Sequence, residues 1–176
     1  MNEEDDVIAM TRMLNRVRDL LPRLGLLPGE LRPLSLSFRD GDGRGHRLVI
    51  LEPESLPRPD DLALVAFFGQ RRTDVSDAPL YQIDSDLVDD LREHPGLVSY
   101  SSLDLGAATS ANLVLARDRG VLERWQRSPR HERVARDLAP RHYTAIRIHT
   151  GSVPGGLGSG REARIAGTRR LSFLAA

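Results

Sequence analysis

The sequence predicts an α+β protein whose central part has the element order β-α-β-β-α-β, a ferredoxin-like unit. Three observations predict it. Short apolar or alternating runs that are typical of strands recur between residues 62 and 150. Two longer stretches with helix-start and helix-stop signals interrupt those runs. The chain has 176 residues, of which 40% are hydrophobic and 28% charged, and this suits one domain with an extension.

Residues 1–59 are predicted to form an N-terminal extension made of one helix and one β-hairpin. Apolar residues recur at steps of three and four over residues 7–24, which predicts an amphipathic helix of about five turns. Pro22 and Gly25 end that helix. Alternating and apolar runs on either side of a Gly- and Asp-rich turn predict a hairpin within residues 34–51.

Residues 60–150 carry the central unit, and residues 151–176 a Gly-rich linker followed by a C-terminal strand. A helix-start pair, Ser128-Pro129, predicts that the second helical stretch breaks after Trp125 and restarts. The predicted strands span residues 62–68, 97–105, 111–116 and 143–150, and the predicted helices span residues 84–94 and 120–138.

Two absences exclude much cofactor chemistry. The chain has no cysteine, which excludes disulfides, thiolate nucleophiles and cysteine-ligated metal clusters. All 25 basic residues are arginines, which excludes Schiff-base chemistry and a P-loop lysine. The pair His131-Glu132 lacks the second histidine of a zinc-protease motif, because Ala135 stands in its place. We therefore expect no cofactor and no metal site.

Charge is divided unevenly along a chain of zero net charge. Residues 1–116 carry 12 arginines and 20 acids, whereas residues 117–176 carry 13 arginines and 5 acids. Few aromatic residues accompany the basic part, so we favour a self-complementing fold or homodimer over a nucleic-acid surface. No apolar run is long enough to span a membrane, and the acidic start does not resemble an export signal. We expect a cytoplasmic protein with no membrane or nucleic-acid partner.

The segment Trp125-Gln126-Arg127-Ser128-Pro129-Arg130-His131, followed by a short helix and the strand Ala145-Ile146-Arg147-Ile148-His149, resembles the second half of the dimeric α/β-barrel superfamily. That superfamily includes antibiotic-biosynthesis and haem-degrading monooxygenases. Over residues 61–150 the resemblance implies a homodimer whose open sheet faces pack together. The cavity between them would take an aromatic or polyketide-like ligand, or haem.

Two family positions are changed in this chain. Haem-degrading relatives have an iron-ligating histidine ten positions after the tryptophan, and this chain has Ala135. Monooxygenase relatives have an asparagine four positions before the tryptophan, and this chain has Val121. The resemblance therefore implies the architecture and the dimer but no haem-type catalysis.

Alternation along the strands predicts a polar group on one face of the sheet. Tyr100, Asn112, Arg147 and His149 are expected to converge there, where they would hydrogen-bond a polar group of a mainly apolar ligand. His149 is a candidate proton acceptor, and Arg147 would stabilise an enolate or carboxylate. An ordinary solvated or interface face is the competing interpretation.

Three aromatic residues complete the candidate site. Tyr143 is expected on the same face of its strand as Arg147 and His149, and Trp125 is expected to anchor its helix on the sheet or to form a cavity wall. His131 lies near a helix N-terminus, where a neutral imidazole is favoured, so a packing role competes with proton transfer. All three are candidate ligand contacts.

Two classes of function follow. The favoured one is a small-ligand binding or assembly module; the alternative is a cofactor-independent monooxygenase or isomerase acting on a small aromatic or polyketide-like substrate. An enclosed space of at least ~300 Å³ touching His149 favours a ligand, and a packed barrel favours assembly. Homodimerisation is expected because an apolar sheet face would otherwise meet water; its predicted residues are Leu64, Phe68, Val98, Tyr100 and Val114.

Overall fold

The computed structural model describes residues 2–24, 34–41, 43–75 and 89–173, and it shows an α+β protein built on a seven-stranded antiparallel sheet. The strand order is β1-β2-β4-β5-β3-β6-β7. The strands are β1 Leu34–Arg39, β2 Gly45–Ile50, β3 Leu62–Arg71, β4 Leu97–Gly106, β5 Thr109–Ala116, β6 Tyr143–Val153 and β7 Arg164–Ser172. The predicted hairpin, the four predicted central strands and the C-terminal strand are therefore all present.

Helices cover the sheet on both sides. A capping box between Asn2 and Asp5 starts α1. Residues 89–92 are helical, and residues 84–88 of the predicted helix lie outside the described residues. The labelled helices are α1 Glu3–Arg18, α2 Leu21–Leu24, α3 Arg119–Gln126, α4 Pro129–Arg133 and α5 Ala139–His142. A π-helical turn lies at Val134–Leu138, and 3₁₀ turns lie at Pro53–Ser55 and Leu157–Ser159. Within the described ranges, no helix has the length and apolar character needed to cross a membrane.

The second helical stretch breaks where the sequence predicts. The helix α3 ends at Gln126, and the Ser128 hydroxyl then accepts a hydrogen bond from the backbone N–H of His131 at 3.2 Å to cap α4. The N-terminal helix is shorter than predicted, because α1 ends at Arg18 and only the separate turn α2 includes Pro22. Val7 is 43% exposed, so it lies off the buried face that its spacing suggests.

The helix α1 packs on one face of the sheet. Its buried apolar side chains are Ala9, Met10, Met13, Leu14 and Val17. They share a core with sheet residues that define what we term the α1 face: Leu64, Ala66, Phe68, Leu113 and Leu115. The opposite face, termed the cavity face, includes Val65, Tyr100 and Val114, and these pack with Val121, Leu122 and Trp125 of α3. The sheet is therefore the middle of three layers.

The five residues expected on one apolar face of the sheet lie on two opposite faces. Leu64, Phe68 and Val98 belong to the core under α1, whereas Tyr100 and Val114 belong to the core under α3. Two features of the strands explain this. A register shift in β4 between Leu97 and Ser99 separates Val98 from Tyr100, and Val114 pairs with Val65, which faces away from Leu64. Because α1 covers the face of Leu64 and Phe68 within the chain, that face gives no apolar reason for a homodimer. The homodimer itself stays a prediction.

The turn between β4 and β5 holds two alanines in the left-handed region. Gly106 pairs with Thr109, so Ala107 and Ala108 form a two-residue hairpin loop, with φ of 47° and 57°. Positive φ at both loop positions is the pattern of a type I′ turn, which favours Asn-Gly over Ala-Ala.

We expect the double substitution Ala107→Asn and Ala108→Gly to raise the free energy of unfolding by about 1 kcal/mol, because both new residues tolerate positive φ. Urea unfolding monitored by circular dichroism measures the change. The matched control is Ala163→Gly, at a half-buried position outside the turn, which should not stabilise the protein. An unchanged or lowered stability of the double variant would show that the alanines are not strained.

Candidate functional site

A cavity of about 890 Å³ lies within the chain, between the cavity face of the sheet and the helical layer. This differs from the expected position between two copies. The sheet side is lined by Val65, Phe67, Tyr100, Ser102, Asn112, Val114, Ile146 and Ile148, and the helical side by Leu91, Trp125, His131, Val134, Ala135 and Leu138. Ala135, where the resemblance described above would require a haem-ligating histidine, thus lines the cavity and supplies no imidazole.

Trp125 and His131 form the aromatic part of the helical wall. The Ser128 cap turns the chain so that the two rings meet edge to face, with centroids 4.5 Å apart. The Ser128 hydroxyl also donates to the buried Asp90 carboxylate at 3.2 Å, which ties this corner to the helical residues 89–92. The indole Nε1 of Trp125 is buried and has no hydrogen-bond partner in the described part of the chain.

His131 is held as a neutral imidazole. Burial lowers its pKa from the ordinary 6.5, and the hydrogen bond with the Gln126 backbone opposes that effect without cancelling it. A carbonyl accepts only from a ring N–H, so the second ring nitrogen of the neutral form is a proton acceptor. The structure therefore places a neutral base beside Trp125 in the cavity wall.

Tyr143 reaches the cavity because residue 69 is a glycine. Its ring lies over β3, and a Cβ built on Gly69 would come within 2.3 Å of the Tyr143 Cε1 atom. The Tyr143 ring also packs edge to face on Phe67, with centroids 5.2 Å apart. A register shift between Gln70 and Arg71 changes the alternation at the start of β6, and Tyr143 lines the same cavity as Ile146 and Ile148.

Arg147 and His149 lie on the opposite side of the sheet, under α1. Both bind the fully buried carboxylate of Asp6: Arg147 donates through Nε and Nη2 at 2.7 and 2.8 Å, and His149 Nε2 lies 2.9 Å from the Asp6 Oδ2 atom. His149 is itself 0% exposed, and its Nδ1 lies 2.9 Å from the Thr168 hydroxyl. Its ring packs edge to face on Phe68.

The buried Asp6 carboxylate, paired with Arg147 and in hydrogen-bond contact with His149, fixes the start of α1 on the sheet. Burial disfavours the ionised form of Asp6, but the hydrogen bonds from Arg147 and His149 outweigh it, so the pKa of Asp6 lies below its ordinary 3.8. The same contact with Asp6 raises the pKa of Arg147. Arg147 and His149 therefore contact a carboxylate of α1 and do not line the cavity.

The predicted convergence of four polar residues is thus wrong for two of them. Tyr100 and Asn112 line the cavity, whereas Arg147 and His149 face α1. Alternation does not say which faces of neighbouring strands match, and register shifts interrupt it in β4 and at the start of β6. Trp125, His131 and Tyr143, by contrast, are all in the cavity wall. No group of three potential metal ligands occurs in the ranges that the structure describes.

Several residues of the cavity lining were not predicted from the sequence. Phe67 and Ile148 were assigned only to strands, and Arg47 only to the hairpin, yet each lines the cavity. Phe67, Asn112 and Ile148 are cross-strand neighbours, because Phe67 pairs with both others. Phe67 lies between the buried Ala66 and Phe68, and a continuous apolar run does not indicate which of its residues face a cavity.

No protein-family model matches the chain, and no curated protein does. Several solved structures do match. A protein from Shewanella oneidensis is 12% identical, with 54% of this chain and 92% of that chain covered and a TM-score of 0.47. A hydroxynitrile lyase from Passiflora edulis is 17% identical, with coverages of 54% and 94% and a TM-score of 0.45. SnoaB, a cofactor-independent oxygenase from Streptomyces nogalater, is 13% identical, with coverages of 66% and 96% and a TM-score of 0.40.

Proposed function

We propose that this protein binds a small, largely apolar ligand in the cavity between its sheet and its helical layer. The observation that carries the proposal is the cavity itself. Its volume of about 890 Å³ falls in the range of roughly 300–1,000 Å³ that small-molecule sites occupy. Apolar walls with a few polar groups are the usual composition of such sites. The volume exceeds the ~300 Å³ that distinguishes a ligand site from a packed core, although His149 is not part of the lining.

Polar side chains give this cavity hydrogen-bonding positions. Ser102, Asn112 and His131 belong to the lining beside its apolar side chains. A serine hydroxyl and an asparagine amide each donate and accept hydrogen bonds. A ligand with at least one acceptor therefore suits the site better than a pure hydrocarbon.

The architecture around the cavity is proposed to be a ferredoxin-like unit of the dimeric α/β-barrel type. Strands β4, β5, β3 and β6 are neighbours in that order, and every pairing among them is antiparallel. The helical residues 89–92 and α3 to α5 connect these strands on the cavity side. A homodimer of this unit would use a surface other than the face that α1 covers.

A cofactor-independent monooxygenase or isomerase is the second candidate function, and one observation favours it. His131 presents a neutral imidazole in the cavity wall, which is the form needed to accept a proton from a bound substrate. In this alternative the proton acceptor is His131, because His149 is enclosed by Asp6 and Thr168. Liquid chromatography with mass spectrometry of a bound ligand after aerobic incubation distinguishes the two: binding returns the ligand unchanged, oxygenation changes its mass, and isomerisation changes its retention at the same mass.

We expect the substitution Asn112→Phe to abolish ligand binding, because the larger ring fills the middle of the cavity floor. Trp125 is the single tryptophan of the chain, so its emission reports on this cavity. Titration with a two-ring aromatic probe should change that emission in the unsubstituted protein and not in the variant. The matched control is Asn15→Phe, the same change at an exposed position on α1, which should bind normally. Binding that survives Asn112→Phe would place the ligand elsewhere.

A further inference from the structure

Three side chains on the α1 side of the sheet form a hydrogen-bonded chain that ends at the protein surface. The β6–β7 register pairs His149 with Thr168, so the two side chains are direct cross-strand neighbours. His149 Nδ1 lies 2.9 Å from the Thr168 hydroxyl, and His149 Nε2 lies 2.9 Å from the Asp6 carboxylate. Asp6 and His149 are buried, whereas Thr168 is exposed on β7. A hydroxyl, an imidazole and a carboxylate in this order have the arrangement of a hydrolase triad.

The hydrogen bonds around His149 favour proton transfer from Thr168 to the imidazole. Burial opposes the ionisation of Asp6, but the hydrogen bonds from Arg147 and His149 keep its pKa below 3.8, so the carboxylate only accepts hydrogen bonds. His149 Nε2 therefore carries the hydrogen of its bond to Asp6. A further charge beside the buried Asp6–Arg147 ion pair would be costly, which favours a neutral ring. Nδ1 of the neutral ring then accepts from the Thr168 hydroxyl.

The edge of the sheet gives Thr168 access to a substrate and adds a hydrogen-bond donor. Strand β7 is the last strand in the described sheet order. The backbone N–H of Phe173 donates to the Thr144 carbonyl of β6 at 2.8 Å. Backbone N–H groups alternate between the two sides of a strand, so the N–H of Thr168 points away from β6. The backbone N–H of the nucleophile residue is a common donor to the oxyanion of acyl transfer.

We propose that Thr168 is the nucleophile of an acyl-transfer site that hydrolyses small carboxylic esters, with His149 as general base and Asp6 as a positioning residue. The site is separate from the ligand cavity, whose lining includes none of these three residues. The Thr168 oxygen bonds to the ester carbonyl carbon while the hydroxyl proton moves to His149 Nδ1. The tetrahedral intermediate expels the alcohol, which takes that proton, and a threonyl ester remains. Water then attacks this ester, His149 transfers a proton from the water to the Thr168 oxygen, and the carboxylic acid is released.

The test uses p-nitrophenyl acetate, a small ester whose p-nitrophenolate product is measured by absorbance. The chain has no lysine and no cysteine, so the side chains that most readily react with this ester are absent. Trypsin releases residues 165–169 as one peptide, in which Thr168 is the single hydroxyl side chain. Acid quenching of the full chain, followed by digestion and mass spectrometry, therefore shows whether Thr168 carries the acetyl group.

Four variants of the full chain separate the roles. Thr168→Val should lose at least about tenfold of the hydrolysis rate, because a triad without its nucleophile keeps only the surrounding binding groups. Thr168→Ser keeps the hydroxyl and should retain the hydrolysis and the acetyl label. Thr150→Val is the matched control, since Thr150 is exposed on the neighbouring β6 and belongs to neither hydrogen bond. Asp6→Asn, assayed per folded molecule, should lower kcat and leave KM unchanged, because Asp6 orients His149 and does not contact the ester.

Each outcome decides a separate point. An acetyl group on Thr168, with hydrolysis lost in Thr168→Val and retained in Thr168→Ser and Thr150→Val, supports the proposal. Hydrolysis that persists in Thr168→Val overturns the assignment of the nucleophile. Hydrolysis that depends on Thr168 without an acetyl group on residues 165–169 overturns the covalent step, and a loss in Asp6→Asn that lies only in KM overturns the positioning role of Asp6. A rate no higher than that of the buffer shows that the three side chains only hold α1 and β7 on the sheet.

Discussion

The substitution Asp6→Asn lowers the free energy of unfolding by about 3 kcal/mol, the loss expected when one partner is removed from a buried ion pair. Asp6 is 0% exposed and accepts hydrogen bonds from both Arg147 and His149. Asparagine keeps the size of the side chain but leaves the Arg147 charge without its counter-charge beneath α1. Urea unfolding at neutral pH measures the loss. The control is Glu4→Gln in the same helical turn, where the side chain is exposed and the expected loss is within about 0.5 kcal/mol.

The difference in stability between the unsubstituted protein and Asp6→Asn should depend on pH. The pKa of Asp6 is lowered in the folded protein, so its stabilising effect is complete above the ordinary pKa of 3.8 and is lost as pH falls through the folded value. The difference in stability between the unsubstituted protein and Asp6→Asn should therefore shrink between about pH 5 and about pH 2. A difference that is constant over this range would contradict a charge-based role for Asp6.

The substitution Phe68→Ala costs about 3–5 kcal/mol, whereas the same change at the adjacent Phe67 costs less than half as much. Phe68 is 1% exposed and lies in the close-packed core under α1, so its removal leaves a cavity. Phe67 is half-buried, and its side chain lines a cavity that already exists. Truncating a side chain at an existing void removes fewer packing contacts.

This comparison has a built-in control, because the two residues are neighbours in one strand and differ only in the face they occupy. Urea unfolding of both alanine variants gives the two losses. Phe67→Ala should in addition weaken ligand binding, and Phe68→Ala should leave the cavity lining unchanged. Equal losses of stability would mean that the two faces are packed alike, which contradicts a cavity on the Phe67 side.

The sequence predicted local structure well because local signals decide it. The helix break is predicted by Ser128, whose hydroxyl caps a helix, and by Pro129, which suits the first helical position. Alternating residues predict the hairpin of β1 and β2. The length of α1 was overestimated, since the apolar spacing continues past Arg18 into the separate turn α2. The order of strands in the sheet and the position of α1 depend on contacts distant in the sequence, which periodicity does not encode.

Only part of the candidate site could be predicted, because the site also depends on contacts between residues distant in the sequence. Trp125 and His131 were placed together because they share one helix-break motif. Arg147 and His149 were assigned to the cavity because alternation puts them on one face of their strand, and that face was matched with the polar faces that carry Tyr100 and Asn112. Their true partner is Asp6, more than 140 residues away in the sequence. The acidic start of the chain gave a signal for this pairing only in retrospect, as a lone carboxylate on the apolar side of an amphipathic helix.

The most direct test of a ligand in this cavity is the indole N–H resonance of Trp125, which is a single peak because the chain has one tryptophan. In ¹⁵N-labelled protein, titration with a two-ring aromatic probe should shift this peak, because Trp125 lines the cavity and the ring currents of a bound probe change the field at its indole N–H. The backbone resonances of Met13 and Leu14 on α1 should stay in place. A stationary indole peak, with shifts confined to α1 or to the exposed strand β7, would contradict a ligand site between the sheet and its helices.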